Sequence, residues 1–124
     1  MDENGKLEFR FSFFTQKYKE AIKFYKDILK LPVVYSWNRG FNDSGYLFKA
    51  ASGHMVVLQS ATKQVEPLMD AVLLIEVEDL DKQYGFCKKN GVEIVQEIQK
   101  REGGDRDFKV IDPNRIVLGF YSRK

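Results

Sequence analysis

Hydrophobic and polar residues alternate from Leu7 to Phe14, so that every second side chain is apolar. A period of two is typical of a β-strand with one apolar face. The period then changes, because apolar residues recur every three or four positions from Lys17 to Leu29. This spacing predicts an amphipathic helix, and Pro32 ends it.

Three more short segments in the first half have the composition of strands. They are separated by turn-forming residues, including the stretch Asn38 to Ser44 and the pair Ser52-Gly53, which predicts a hairpin. The predicted strands are Val33 to Trp37, Gly45 to Ala50, and Met55 to Ser60. The first half is therefore predicted as β-α-β-β-β.

A polar stretch from Ala61 to Asp70 contains Pro67 and is predicted to be a linker. After it the same order of elements begins again. Asp79 is a suitable N-cap for a helix that runs through Asn90, with Gly91 where a left-handed residue is wanted. The predicted strands of this half are Ala71 to Val77, Val92 to Ile98, Arg106 to Ile111, and Arg115 to Tyr121.

The two halves share residues as well as element order. At an offset of sixty positions four residues are identical, namely Phe48 and Phe108, Lys49 and Lys109, Val57 and Val117, and Leu58 and Leu118. We therefore predict one α+β domain over residues 1–124, made of two tandem βαβββ modules. Module 1 spans about residues 6–60 and module 2 about residues 71–122.

Composition excludes several classes of protein. Twenty basic and eighteen acidic residues are interspersed and give a net charge of +2, without the basic stripe that a nucleic-acid backbone requires. The start of the chain has no apolar signal region, and no segment approaches the length of a membrane span. The single cysteine excludes an internal disulfide. We expect a soluble cytoplasmic protein that binds neither nucleic acid nor membranes.

Three motifs in order resemble the vicinal oxygen chelate superfamily, which includes glyoxalase I, bleomycin-resistance proteins and extradiol dioxygenases. They are AIKFYKDILKLPV from Ala21, LLIEVEDLDKQYGFCKKNGVEIV from Leu73, and DPNRIV from Asp112. The chain departs from the family's pattern at Lys30-Leu31, where a glycine usually stands, and in the shorter turn after Asp112, which lacks its glycine. The resemblance implies a cupped mixed sheet with the helices on its outer face.

In that superfamily each module supplies one metal ligand from its first strand and one from its last. In this chain those positions are occupied by Arg10, Val57, Val72 and Val117, and shifting the last-strand assignment of the first module by one gives Val56. Valine has no donor atom, and arginine stays protonated without a lone pair to give. We therefore expect no metal and no cofactor, which argues against a glyoxalase or dioxygenase mechanism.

If these positions face into the cup, alternation predicts the rest of its inner wall. That wall comprises Glu8, Arg10, Ser12 and Phe14; Val72, Leu74 and Glu76; and Arg115, Val117, Gly119 and Tyr121. Gly119 either leaves room for a ligand or marks a bulge. Arg10 either binds a ligand carboxylate, phosphate or phenolate, or forms an internal ion pair with an acid such as Glu8.

The remaining candidates are aromatic. The resemblance implies stacking of planar antibiotics on aromatic residues near the end of the second strand and at a dimer groove. The predicted ligand-binding residues are Arg10, Trp37, Phe41, Tyr46, Phe48, Glu76 and Tyr121. His54, the only histidine, is predicted to be a solvated turn residue, and Cys87 to be packed in the second helix.

These observations favour a metal-independent protein that binds a planar or amphipathic small molecule, with antibiotic sequestration by a homodimer as the leading hypothesis. The alternative is an enzyme of the same superfamily, either metal-dependent through unorthodox ligands or using acid–base chemistry at Glu8, Glu76, Tyr121 or His54. A third hypothesis is a domain that only mediates assembly or regulation.

Overall fold

The computed structural model describes residues 8–60 and 72–123, and the predicted linker Ala61 to Asp70 lies outside them. The chain divides into two compact units, residues 1–65 and 66–124, which correspond to modules 1 and 2. Within the described ranges, no helix has both the length and the apolar character needed to cross a membrane.

Module 1 forms one four-stranded mixed sheet with a single helix packed on it. Its sheet order is β1-β4-β3-β2, with β1 parallel to β4 and the other neighbours antiparallel. Its elements are β1 (Arg10–Thr15), α1 (Tyr18–Ile22), which continues as a π-helical segment (Lys23–Ile28), β2 (Val33–Asn38), β3 (Ser44–Ala50) and β4 (Gly53–Gln59).

Module 2 repeats this topology in the order β5-β8-β7-β6, with β5 parallel to β8. Its elements are β5 (Leu73–Glu76), α2 (Leu80–Lys89), β6 (Glu93–Lys100), β7 (Arg106–Ile111) and β8 (Val117–Ser122). The predicted α+β class and the tandem βαβββ order are therefore confirmed. The boundaries of β7 are as predicted, and the others differ by at most three residues.

The helix of module 1 covers only one face of its sheet. Alternate strand residues on that face are buried, and the ring of Tyr25 lies 6.2 Å from that of Phe13 and 6.1 Å from that of Phe48. Met55 and Val57 fill the same layer and are almost fully buried. Because side chains of a strand alternate, the residues between these positions lie on the opposite, helix-free face.

The π-helical segment explains how two consecutive aromatic residues both reach this core. Leu29 N donates to Phe24 O at 2.8 Å, a spacing of five residues in place of the usual four. The wider turn brings Phe24 and Tyr25 to the same buried side, where their rings meet edge to face at 5.0 Å. The predicted helix is present, but periodicity did not reveal its π-helical half.

In module 2 the helix begins and ends as predicted. The Asp79 carboxylate accepts a hydrogen bond from Lys82 N at 3.0 Å, and Gly91 has φ +72° just beyond the last turn. Tyr84 packs edge-on against Phe108 at 5.2 Å. Cys87 is fully buried, and burial raises the pKa of its thiol to about 11, so the residue is packed as predicted and held as the unreactive thiol.

The closing turn of module 2 is organised by one buried carboxylate. Asp112 is 4% exposed, and its Oδ1 accepts hydrogen bonds from Asn114 N at 2.8 Å and Ile116 N at 2.7 Å. Arg115 lies in this turn with φ +67° and not in the last strand, so its predicted place in the inner wall is wrong.

The length of this turn also corrects the repeat. Residues 112–116 connect β7 to β8, whereas residues 51–52 connect β3 to β4. The two connections differ by three residues, which is an odd number. Residues that are sixty positions apart therefore lie on the same face of the sheet in the first strand of each hairpin and on opposite faces in the second. Val57 packs toward the helix of its module with no exposed surface, while Val117 alternates with the buried Leu118 and lies on the helix-free side.

We predict that Asp112→Ala lowers the free energy of unfolding by about 2 to 4 kcal/mol, because it leaves two buried backbone N–H groups without their acceptor. Asp112→Asn retains one side-chain oxygen and costs less. Urea denaturation followed by circular dichroism measures both, with Asp27→Ala as the control at an exposed carboxylate. Equal stability of Asp112→Ala and the control would contradict this account of the turn.

Candidate functional site

The helix-free face of module 1 is crossed by three rows of side chains. Residues that pair across neighbouring strands point to the same side of a sheet, so the register fixes the membership of each row. They are the basic row (Lys49, His54, Arg10), the middle row (Tyr35, Leu47, Val56, Ser12) and the aromatic row (Trp37, Gly45, Leu58, Phe14).

Trp37 lies flat on the sheet because its cross-strand neighbour is a glycine. A Cβ built on Gly45 would stand 2.4 and 2.5 Å from two ring carbons of Trp37 and 3.0 Å from the carbonyl oxygen of Val57. No side chain fits there while the indole keeps its place. The missing side chain of Gly45 therefore leaves the space, called the seat below, in which the indole of the only tryptophan of the chain packs against the sheet.

Neighbouring residues hold the indole from its other sides. The Tyr35 ring stacks on it at 5.8 Å with an interplanar angle of 26°, and the guanidinium of Arg39 lies 5.9 Å from its centre. The hydrogen bond from Arg39, followed by one from the Trp37 indole, lowers the pKa of the Asp43 carboxyl. Sequence reasoning missed Tyr35, although it lies two positions before Trp37 and so on the same face of β2.

The loop between β2 and β3 is held by its own hydrogen bonds. Asn38 Oδ1 accepts from Gly40 N at 3.1 Å and lies 3.0 Å from Ser44 Oγ, while Arg39 Nε donates to Asp43 at 3.1 Å. The predicted site residue Phe41 stands at its tip with 76% of its surface exposed. The loop thus presents a large ring to solvent next to the aromatic row.

Two of the predicted aromatic residues lie on the wrong side of the sheet for this face. Phe48 is fully buried against Tyr25, and Tyr46 stacks on Phe48 at 5.6 Å and approaches Tyr18 at 6.4 Å. Both belong to the helix-covered layer because they alternate with Gly45 and Leu47. Phe48 presents no surface to a ligand, and we leave both residues out of the site.

His54 is not the solvated turn residue that the sequence predicted. Its side chain is only 9% exposed, and its Nδ1 lies 3.0 Å from Glu8 Oε2, whose side chain is 13% exposed. The other oxygen of Glu8 accepts a hydrogen bond from Arg10 Nε, and the Arg10 side chain remains 51% exposed. The internal ion pair expected for Arg10 is therefore present, and its guanidinium is still open to solvent.

The helix-free face of module 2 is more polar, and two of its acids, Glu76 and Asp107, are paired. Glu76 lies beside Tyr121 in the sheet register and accepts two hydrogen bonds from Arg123. Asp107 accepts from Arg101 Nε at 2.6 Å, and this bond, ahead of one from Gln96, holds the pKa of the Asp107 carboxyl below its ordinary value. The structure brings Glu76 and Tyr121 together as predicted.

Gly119 does not leave room on that face. A Cβ at this position would lie 2.7 Å from Leu74 Cδ2 and 3.2 Å from Val72 Cγ1, so side chains of the chain itself occupy the space. The glycine permits close packing between β5 and β8. Gly119 therefore serves the packing of these side chains, in place of the bulge or the ligand space that its position predicted.

The side chains at the positions where the resemblance places metal ligands do not fit a metal. On the helix-free faces they are Arg10 and Val56 in module 1 and Val72 and Val117 in module 2, and none offers a lone pair. Glu8 and His54 approach each other, but Glu8 is shared with Arg10. Within residues 8–60 and 72–123, no three His, Cys, Asp or Glu side chains are grouped closely enough to hold an ion.

Comparison with solved structures supports the fold over almost the whole chain. A glyoxalase/bleomycin resistance protein/dioxygenase from Alicyclobacillus acidocaldarius shares 19% identity and a TM-score of 0.71, over 98% of this chain and 95% of that one. A glyoxalase family protein from Enterococcus faecalis shares 18% identity and a TM-score of 0.75, over 95% and 98% of the two chains.

A lactoylglutathione lyase from Agrobacterium tumefaciens shares 10% identity and a TM-score of 0.70, over 98% and 96% of the two chains. At these identities the similarity shows the fold alone. A search of curated proteins found no match. The model of the Glyoxalase/Bleomycin resistance protein/Dioxygenase superfamily matches residues 9–120, and the chain therefore belongs to that superfamily.

Proposed function

We propose that the protein binds a planar aromatic small molecule on the helix-free face of module 1, without a metal. The observation that carries this proposal is the seating of Trp37 on Gly45 with Tyr35 stacked beside it. Flat rings that are already ordered bind another flat ring with little loss of side-chain entropy. The side chains at the family's metal positions support a mode of binding that needs no ion.

The aromatic surface is larger than one ring. Tyr35 is 56% exposed, and the rings of Phe14 and Phe41 are also open to solvent, so a ligand on Trp37 meets apolar surface on several sides. Surface of this kind with a few charged groups at its margin suits an amphipathic organic molecule. Antibiotic sequestration is the specific form of the proposal, and a cytoplasmic location stays a prediction.

A homodimer is part of the same proposal. β2 is an edge strand of its sheet, and Val33, Val34 and Tyr35 along it are all exposed. Unpaired strand edges with apolar side chains are usually covered by another element or another chain. A second copy of the chain at this edge would place further side chains beside the aromatic row.

The test is a titration of the single tryptophan with a panel of planar antibiotics, after metal removal with a chelator. We expect saturable quenching of Trp37 fluorescence at one ligand per chain. Calorimetry of Trp37→Ala should show at least about fivefold weaker binding, since stacking on an aromatic ring contributes about 1 kcal/mol or more. Phe9→Ser is the control, because it removes an aromatic ring that is 73% exposed and lies outside the three rows.

Retained affinity in Trp37→Ala, or an equal loss in Phe9→Ser, would contradict the placement of the ligand. The absence of any response across the panel from a metal-free sample would contradict the proposed function itself. Thermal unfolding of each variant checks that the fold is intact.

We predict that Gly45→Ala displaces the indole, because the new methyl group would occupy the seat of the ring. Overpacking of this kind costs about 1 to 3 kcal/mol of stability. The emission maximum of Trp37 should move to longer wavelength as the ring becomes more exposed, and ligand affinity should fall with it. An unchanged spectrum with unchanged affinity would show that the seat is not needed.

A second candidate function is metal-free acid–base catalysis, favoured by the distance of 3.0 Å between Glu8 Oε2 and His54 Nδ1. The carboxylate lies near Nδ1 without completing a hydrogen bond to it, and under this candidate the other ring nitrogen exchanges a proton with the substrate. Proton exchange of ligand C–H groups with deuterated solvent, followed by NMR, tests it. We expect exchange to stop in His54→Gln under this candidate and to be absent in every variant under the binding function.

A further inference from the structure

Resting on the proposed function, we infer that the ligand is an elongated aromatic carboxylate whose anionic group lies at the basic row. The inference comes from the order of chemistry along the helix-free face of module 1. Lys49, His54 and Arg10 cross the sheet side by side at one end, and the rings of Tyr35 and Trp37 lie toward the other. The face is therefore polar at one end and aromatic at the other.

The basic row has an excess of positive charge. Arg10 and Lys49 contribute two cationic side chains, and the carboxylate of Glu8 lies beside both Arg10 and His54. That carboxylate is already engaged by Arg10 and His54, so it does not balance both cations. Arg10 and Lys49 remain exposed and able to donate hydrogen bonds to an incoming anion.

The middle row separates the two ends by an uncharged strip. Its members Ser12 and Tyr35 offer one hydroxyl on each flank, and between them lie the half-buried Val56 and the buried Leu47, neither of which is charged. Two residues along a strand span about 7 Å and four span about 13 Å. A ligand that places its ring system on Tyr35 and Trp37 therefore reaches the basic row if its carboxylate stands roughly 7 to 13 Å from the ring centre.

Charge decides between ligand types of the same shape. A carboxylate is attracted by the excess of cations, and its oxygens accept the hydrogen bonds that Arg10 and Lys49 can donate. A neutral analogue makes the same aromatic contacts but lacks the charged hydrogen bonds. A cationic analogue would be repelled at this end of the face.

The probes are pyrenebutanoate and the uncharged pyrenebutanol, which share one ring system and one chain. Each is titrated against the full-length protein, with energy transfer from Trp37 to pyrene as the readout. We expect the carboxylate to bind at least about tenfold more tightly than the alcohol, since hydrogen bonds to an ionised group are roughly twice as strong as those between neutral groups.

Three variants locate this preference. The double variant Arg10→Gln/Lys49→Gln lacks both exposed cations. It should show no preference for the carboxylate and should bind the alcohol as before. Glu8→Gln should raise the preference several-fold, because it removes the competing carboxylate, and a damaged fold would not produce a gain. Lys23→Gln removes one exposed charge from the helix of the same module and is the matched control.

The outcomes separate this inference from the proposed function. Equal binding of carboxylate and alcohol, or a loss of preference in Lys23→Gln as large as in the double variant, would overturn the inference and leave aromatic binding standing. Energy transfer with neither probe, in protein that melts cooperatively, would overturn the proposed function and the inference with it.

Discussion

The burial of one face of each sheet under a single helix is the constraint on which the rest of this structure depends. In module 1, Tyr25 reaches from the helix to Phe13 and Phe48, and the register of four strands follows from hiding that layer. A shift of one residue would expose the whole apolar set. Because this layer is fixed, the opposite residues are fixed too, and they form the face on which we place the ligand.

Within that face the chemistry depends on a missing side chain. Gly45 lets Trp37 lie against the backbone, and Tyr35, Arg39 and Asp43 hold the indole in place. A loop that pairs its own polar groups lies beside this arrangement. In this chain the superfamily fold carries an ordered aromatic surface, and Arg10 and valines stand at the positions where the resemblance places metal ligands.

The sequence predicted the fold well because alternation, helical spacing and capping residues are local signals. Asp79 and Gly91 mark the second helix from the sequence alone, and the repeated element order predicts two modules. It predicted the faces less well. The offset of sixty equates Val57 with Val117, but the longer closing turn around Asp112 places them on opposite faces, and turn length is not visible in a pattern of hydrophobic residues.

Of the candidate residues, Arg10 lies on the helix-free face of module 1 as alternation predicts, and Trp37 shares that face. Tyr46 and Phe48 lie in the helix-covered layer instead. The contact between His54 and Glu8 joins residues far apart in the chain and could be found only from the pairing of β1 with β4. Long-range contacts of this kind have no local signature, which is why the place of His54 beside Glu8 and Arg10 was missed.

The most direct test of the account is an NMR titration of the metal-free protein with pyrenebutanoate, because the single tryptophan gives one indole N–H signal. The account predicts saturable shifts of that signal and of the backbone amides of Tyr35 and Gly45, with little change at Phe24 and Cys87 in the helices. Shifts confined to the helices, with the indole signal unmoved at saturation, would contradict it.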